Sequence, residues 1–513
     1  MDEPSTGKDP RLFIFGWDAA DWAVVEEGWR RGKLPTLKSI ADQGQCGTLL
    51  STIPPVTPSA WTGFLTGVDP GEHGVFNFRT VRHSDHRILP TNGGSRRVPT
   101  LMRGLDAAGV RTCLVTVPWT YPAERLEHGV VVPGWDDPGE AFDTTWPARA
   151  GELLEANVAR IPRRAVHHGE TGPHLRGLAE EVALREKICD LLMDAFDPRL
   201  FMVVYVEPDR AGHHLWTEGA VPSTLVDAYE LVDAAMGRFM NRWVGDGDVV
   251  MVASDHGTRP MHSVVQIGPL LEEGGWLSAA DNNNAAPRLA KTLRRFVWSR
   301  IPLRLRNRIW RNLPSDLGKK ASRSARRVLI DWEKTSAFPL GNADGVGVWI
   351  NAAPPFADGA VDAADYHKVR DEVIRYLIGI TDPDSGERVF TRVAPREEVY
   401  AGSAMNGAPD IVLVPKEGYG ASQGRGVSES VARVAIGGHR PEGIFLVTRD
   451  LGLASTVRIE DLLPAVLSKL GFPSINGDGG PNELAAQPET EVGYSERDVE
   501  EMEEHLRDLG YID

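Results

Sequence analysis

The sequence predicts an α/β protein with a mostly parallel central sheet and helices on both faces, interrupted by a basic helical insertion. Three observations predict it. Short apolar runs rich in β-branched residues recur at 12–15, 113–117, 201–206, 249–253, 346–350, 411–414 and 443–447. Several are apolar at every position, as strands buried on both faces are. Helix-like segments at 35–43, 100–108, 178–195, 223–244 and 364–378 lie between them, and such alternation builds layered α/β folds.

Taken in order, the run at 12–15 leads through Gly16 to Asp18, and the helix-like segment 35–43 follows. The segment PPVTPSAWTGFLTG (54–67) reads as a further helix, with Thr57 as its cap, Pro58 at its first position and Gly67 as its stop. The run at 201–206 leads to Asp209, with His213 four residues on, and the run at 249–253 leads to Asp255 and His256. At the end, Ser495 with Asp498 can open a helix whose apolar stripe is Val499, Met502, Leu506 and Leu509. The expected organisation is a core in two parts, 1–278 and 331–480, split by a basic cap at 279–330 and followed by an acidic tail and helix at 481–513.

The chain has 513 residues, 42% hydrophobic and 25% charged. This is globular composition and excludes a disordered chain, a collagen or a coiled coil. No apolar run approaches the ~20 residues of a membrane-spanning helix. The start, MDEPSTGKDPR, is polar and lacks a secretory signal, so a cytoplasmic location is expected. Three scattered cysteines suggest neither a disulfide framework nor a cysteine metal site. The net charge of −16 argues against general nucleic-acid binding. Residues 288–327 nevertheless carry fourteen Lys/Arg against one acid, Asp316. Leu289, Leu293, Phe296 and Val297 follow helical spacing, as do Leu305, Ile309 and Leu313 after Pro302, so this segment reads as two basic amphipathic helices. They either cap the core or meet an anionic surface, a membrane leaflet or a polyanionic substrate.

Ligands of open α/β sheets bind beyond the carboxyl ends of the strands. If the runs are parallel neighbours, Asp18, Asp209 and Asp255 converge there. Each alone would read as a turn or cap residue. Together, with His213 and His256 close by, they form a constellation of carboxylates that cations must neutralise. Aspartate and histidine together suit zinc or manganese. Thr57, at a helix N-terminus, would sit where phosphate is attracted and an alkoxide stabilised.

These residues resemble the alkaline phosphatase superfamily, specifically its type I phosphodiesterase/nucleotide pyrophosphatase branch. The resemblance is carried by GWDAADW (16–22), PPVTPSAWTGFLTGVDPGEHGVF (54–76), EPDRAGHH (207–214), SDHG (254–257) and GGHRPEGIFL (437–446). It implies two divalent ions, zinc or manganese. One would be held by Asp209, His213 and His439, the other by Asp18, Thr57, Asp255 and His256. His439 enters only through this resemblance. His73, His214 and His262 lack such support and are expected to be structural or to back the ligands from behind. Asn77 is a candidate phosphate donor, in imperfect register with the family's asparagine.

Pro58, Ser59 and Ala60 stand where nucleotide pyrophosphatases resembling this chain carry aromatic–proline–asparagine, which argues against their specificity and leaves the metal site untouched. TPSAW also lacks the sulfatase motif. The implied activity is hydrolysis of a phosphodiester or phosphoanhydride through a phospho-threonine on Thr57, with a phosphorylated small-molecule or lipid-like substrate. The alternatives are a phosphomonoesterase or phosphomutase of the same superfamily, and a non-catalytic, membrane-peripheral or polyanion-binding protein on a phosphatase-like core.

Overall fold

The computed structural model describes residues 9–474 except 138, 140, 141, 162–170, 281–329, 343 and 425–428, together with 499 and 502. Its centre is an eight-stranded sheet. From one edge the strands are Thr456–Arg458, Gln45–Leu50, Glu442–Val447, Val249–Ala253, Leu12–Trp17, Leu200–Tyr205, Thr112–Val117 and Gly129–Pro133. Seven run the same way, and Glu442–Val447 runs against them. Five of the seven apolar runs, 12–15, 113–117, 201–206, 249–253 and 443–447, supply strands of this sheet.

Alternation explains how one strand serves two layers. Phe13 and Phe15 pack with Phe201, Val203, Val250 and Val252 against helices Trp22–Arg30, Thr171–Phe196 and Ser223–Trp243. Leu12 and Ile14 face the other way, with Met202 and Met251, onto helices Thr57–Thr66, Leu101–Ala107 and Ile459–Lys469. Each of these large side chains contributes roughly 1.5–3 kcal/mol on burial. The result is a helix–sheet–helix sandwich.

Register sets the functional edge. Gly16 lies opposite Val204 on one side and Ala253 on the other, so the three central strands end level. A Cβ on Gly16 would meet the Trp61 ring and Val204, both at 2.6 Å. Glycine there lets the helix Thr57–Thr66 press onto the sheet edge.

Two of the apolar runs belong elsewhere. Gly345–Ile350 and Ile411–Pro415 join Ala337–Asn342 and Phe390–Pro395 in an antiparallel four-stranded sheet. Ala337–Asn342 and Gly345–Ile350 are buried at every residue, so burial pattern alone does not separate them from the parallel strands. A third sheet orders Tyr419–Ser422, Gly257–Gln266 and Val431–Arg440. It ties the two larger sheets together at the carboxyl edge.

One local expectation shifts by a residue. Val56, in extended conformation, occupies the cap position, and Thr57 opens the helix with Pro58 behind it. Among the described residues no side chain caps this helix N-terminus, so the Thr57 hydroxyl carries no capping role. Gly67 ends the helix at φ 71°, in the left-handed region expected of a glycine stop.

Ala279 pairs with Ile330 in an antiparallel bridge, and the basic segment between them lies outside the described residues. Of the C-terminal stripe, Val499 and Met502 are described. Met502 is buried against Val56, Val75, Phe78 and Trp119, while Leu506 and Leu509 lie outside the described residues. No described helix is long and apolar enough to cross a membrane.

Candidate functional site

The structure brings Asp18, Thr57, Asp209, His213, Asp255, His256 and His439 to one place at the carboxyl edge. Asp18 and Asp255 follow adjacent parallel strands. Asp209 and His213 lie on the helix Glu207–Leu215, which follows Leu200–Tyr205. His439 arrives on the antiparallel strand Val431–Arg440, opposite Thr258 and two residues past His256 in the register. The His256 and His439 rings stack with centroids 3.7 Å apart. All seven are buried except His213, which is partly exposed.

Three acceptor atoms converge in one half of the site. His213 Nε2 and His439 Nε2 are 3.0 Å apart, and Asp209 Oδ1 lies 3.3 and 3.2 Å from them. Each imidazole spends its other nitrogen on a carbonyl: His213 Nδ1 on Gly437 O at 3.0 Å, His439 Nδ1 on Pro55 O at 2.8 Å. Nδ1 must therefore donate, so both neutral rings present a lone pair at Nε2. Two lone pairs and a carboxylate oxygen repel unless a cation or proton lies between them. Edges of 3.0–3.3 Å match a face of a tetrahedron with zinc bonds of ~2.0–2.1 Å, whose edges are ~3.3 Å. Carbonyl-oriented histidines are the usual support of a metal ligand.

The other half has the same character. His256 Nε2 lies 3.2 Å from Asp255 Oδ2, 3.7 Å from Asp18 Oδ1 and 3.4 Å from Thr57 Oγ1. His256 Nδ1 faces Gly257 O at 3.2 Å. Asp18 Oδ2 accepts from Trp61 Nε1, and Asp255 Oδ1 accepts from the Ala19 N–H. The remaining oxygens, Asp18 Oδ1 and Asp255 Oδ2, are buried with no hydrogen-bond partner among the described residues. Orphaned buried carboxylate oxygens are costly, and here they point at the position a cation would take. The donor set therefore fits two divalent ions. Asp209, His256 and His439 present ligand atoms within 4.8 Å of one another, so the halves are contiguous.

The electrostatics agree. Burial, then the charges of Asp255 and Asp209, push the Asp18 carboxyl well above its ordinary value. Burial also pushes Asp255 up to about 7. Burial and the charge of His439 hold His256 well below its ordinary value. Burial opposes the charged form of His213, but Asp209 outweighs it and drives the ring up to about 10. Burial and mutual repulsion thus favour the neutral carboxyls of Asp18 and Asp255, whereas Asp209 stays charged beside His213.

The histidines expected to be structural contribute no ligand atom to these groups. His73 Nδ1 accepts from the Val75 N–H, His262 Nδ1 faces Ser263 Oγ, and the His214 ring lies against His174. Asn77 donates from Nδ2 to Gly345 O at 2.8 Å and accepts the Phe78 N–H. It ties its own loop to the hairpin of the second sheet.

That hairpin delivers a residue that sequence reasoning missed. Asp344, with His213 and His439, offers ligand atoms within 4.8 Å of one another. Its segment, Asn342–Ala343–Asp344–Gly345, has ordinary turn composition, so no local signal distinguishes it.

Behind the site, Arg185 pairs with Glu207 and Arg210 with Glu181, all four side chains being buried or nearly so. These pairs clamp the helix that carries Asp209 and His213 onto the helix Thr171–Phe196.

Known proteins resemble this chain in two ways. Residues 12–439 match the family described as type I phosphodiesterase / nucleotide pyrophosphatase, whereas no curated protein matches the sequence. Phosphonoacetate hydrolase from Sinorhizobium meliloti 1021, in complexes with phosphonoformate and with phosphonoacetate, is similar at a TM-score of 0.56. It is 16% identical over 90% of this chain and 95% of that one. Human ectonucleotide pyrophosphatase / phosphodiesterase 5 is similar at a TM-score of 0.50 and 11% identity, over 90% of this chain and 96% of that one. An inactive threonine-to-alanine variant of the murine protein, in complex with AMP, is similar at 0.50 and 12% identity, over 91% and 96%. At these identities the solved structures speak for the fold. The family match covers most of the chain: it belongs to the type I phosphodiesterase / nucleotide pyrophosphatase family, hydrolases that act on phosphoric ester bonds.

Proposed function

We propose that the chain is a two-metal phosphohydrolase that cleaves a phosphodiester or phosphoanhydride through a phospho-threonine on Thr57. One observation carries this reading: Asp209 Oδ1, His213 Nε2 and His439 Nε2 converge within 3.3 Å beside the orphaned oxygens of Asp18 and Asp255. Asp209, His213 and His439 would hold one ion; Asp18, Thr57, Asp255 and His256 would hold the other. Two divalent ions there would neutralise the carboxylates, polarise the phosphoryl oxygens and acidify the threonine hydroxyl. Zinc suits the three-histidine, three-aspartate donor set, and manganese is the alternative.

The chain's own groups then define the reaction. Thr57 Oγ1, at the head of a ten-residue helix, gives up its proton and forms a bond to phosphorus as the bond to the leaving oxygen breaks, and the leaving oxygen takes up a proton from solvent. Water next attacks phosphorus, the Thr57 Oγ1–phosphorus bond breaks, and the phosphoryl product leaves with the hydroxyl restored. Positioning and charge neutralisation are what phosphoryl transfer requires. His213, the partly exposed member, lies where substrate would enter. The AMP complex of the murine structure and the phosphonate complexes of the bacterial one favour a phosphorylated or phosphonylated small molecule as substrate. A phosphomonoesterase or phosphomutase on the same site is the second reading.

The test is metal content of the purified chain together with turnover of bis-p-nitrophenyl phosphate. Two bound ions per chain and chelator-sensitive hydrolysis are expected. A metal-free chain that adding zinc or manganese does not activate overturns the reading.

A further inference from the structure

Asp344 is held with unusual definition for a turn residue. Its Oδ1 accepts the His439 N–H at 2.8 Å. On the same hairpin, the Gly345 N–H donates to Asn342 Oδ1, and Gly345 O accepts from Asn77 Nδ2. A Cβ on Gly345 would meet Pro54 at 2.6 Å and Val56 at 2.9 Å, so glycine lets the hairpin rest on the residues just before Thr57. The Asp344 side chain is 6% exposed.

Its second oxygen has a different environment. Asp344 Oδ2 lies 3.9 Å from His439 Nε2, and Asp344 joins His213 and His439 in a ligand group within 4.8 Å. His439 Nε2 is one of the lone-pair atoms of the first half-site, and it lies 3.0 Å from His213 Nε2. A carboxylate aimed at two imidazole lone pairs gains nothing from them directly. It gains from whatever cation they share.

We propose, building on the two-metal reading above, that Asp344 is a fourth protein donor to the ion held by Asp209, His213 and His439. Four carboxylates (Asp18, Asp209, Asp255 and Asp344) then face two divalent ions, and their formal charges cancel. A centre without surplus positive charge gains less from a dianionic phosphomonoester than a cationic one would. It therefore favours a monoanionic diester. Asp344 thus acts on metal affinity and on substrate charge together.

Asp344→Asn is the discriminating variant, because its amide oxygen can still accept the His439 N–H while the charge is lost. Zinc affinity is measured on the full chain by competition with a chromophoric chelator, and the cobalt-loaded protein is followed by its visible spectrum. Wild type is expected to bind two ions. In Asp344→Asn one of them should bind at least ~10-fold more weakly, with a changed cobalt spectrum. Asp344→Glu, which keeps the charge, should bind more tightly than Asp344→Asn. The turnover ratio of bis-p-nitrophenyl phosphate to p-nitrophenyl phosphate should fall severalfold in Asp344→Asn. Unchanged affinity and spectrum, or equal weakening in the Asn and Glu variants, overturn the assignment and leave Asp344 as a backbone acceptor. An unchanged ratio overturns the charge selection. Wild type with fewer than two ions and no hydrolysis breaks the two-metal reading itself, before Asp344 is altered.

Discussion

The two halves of the centre reach the same edge by different routes. Asp18, Asp255 and His256 follow neighbouring parallel strands, and Thr57 heads a helix pressed onto one of them. In the other half only Asp209 and His213 come from a strand end. His439 and Asp344 arrive on antiparallel elements that start far from the central strands in sequence. The difference teaches what a parallel sheet provides. All its strands end at one edge, so residues just beyond them are gathered without further instruction. Residues from outside that rhythm need their own pairing. Here the ribbon of Gly257–Gln266 with Val431–Arg440 supplies it, and the reversed strand Glu442–Val447 completes it. A reversed strand begins where its neighbours end, so the residues just before it, His439 among them, are brought to the same edge.

If the Thr57 half carries the covalent chemistry, Thr57→Ala should lower hydrolysis of bis-p-nitrophenyl phosphate by at least ~10³-fold. Metal content should be largely kept, because Thr57 is one donor among several. Thr57→Ser should retain appreciable turnover. An alanine variant with wild-type rate would remove the asymmetry between the halves.

The histidine half is tested by His439→Ala. Loss of one of three converging donors should take bound zinc from two ions towards one and cut turnover by ~10²-fold or more. Elemental analysis and kinetics on protein of unchanged circular dichroism would show it. Two tightly retained ions would mean that this half does not depend on the antiparallel ribbon.

Glu207→Gln addresses the support behind that half. Arg185 and Glu207 are both almost fully buried, so neutralising one partner leaves an uncompensated charge. A loss of about 3–5 kcal/mol in unfolding free energy is expected, measured by chemical denaturation. A loss below ~1 kcal/mol would mean that the pair is dispensable.

The smallest effect expected is in protons. In the metal-free chain Asp18 is raised well above its ordinary value and Asp255 to about 7. A carboxyl with a raised pKa keeps its proton below that pKa and must yield it to an ion. Zinc binding should therefore release more protons at pH 6 than at pH 8, as Asp255 passes through its titration. Calorimetry in buffers of different ionisation enthalpy counts them. A pH-independent count would mean that these carboxyls are already ionised in the metal-free state.

By itself the sequence determined the strand-end half of this protein. Apolar runs bounded by turn residues are local patterns, so the strand Val249–Ala253 and the helix Pro35–Gln43 fall where the residues predict them. Asp18, Asp209 and Asp255 could be read as one edge on the condition that their strands are parallel neighbours, which the pairing meets. His439 was legible only through resemblance to a family, and Asp344 was not legible at all. Tertiary structure decided that Gly345–Ile350 and Ile411–Pro415 leave the central sheet, and that His439 stacks on His256. It also decided that the Asp344 carboxylate accepts the His439 N–H across 95 residues of chain. The physical reason is that strand pairing and hairpin packing depend on partners distant in sequence. A turn such as Asn342–Gly345 has the same composition whether it faces solvent or a pair of imidazoles.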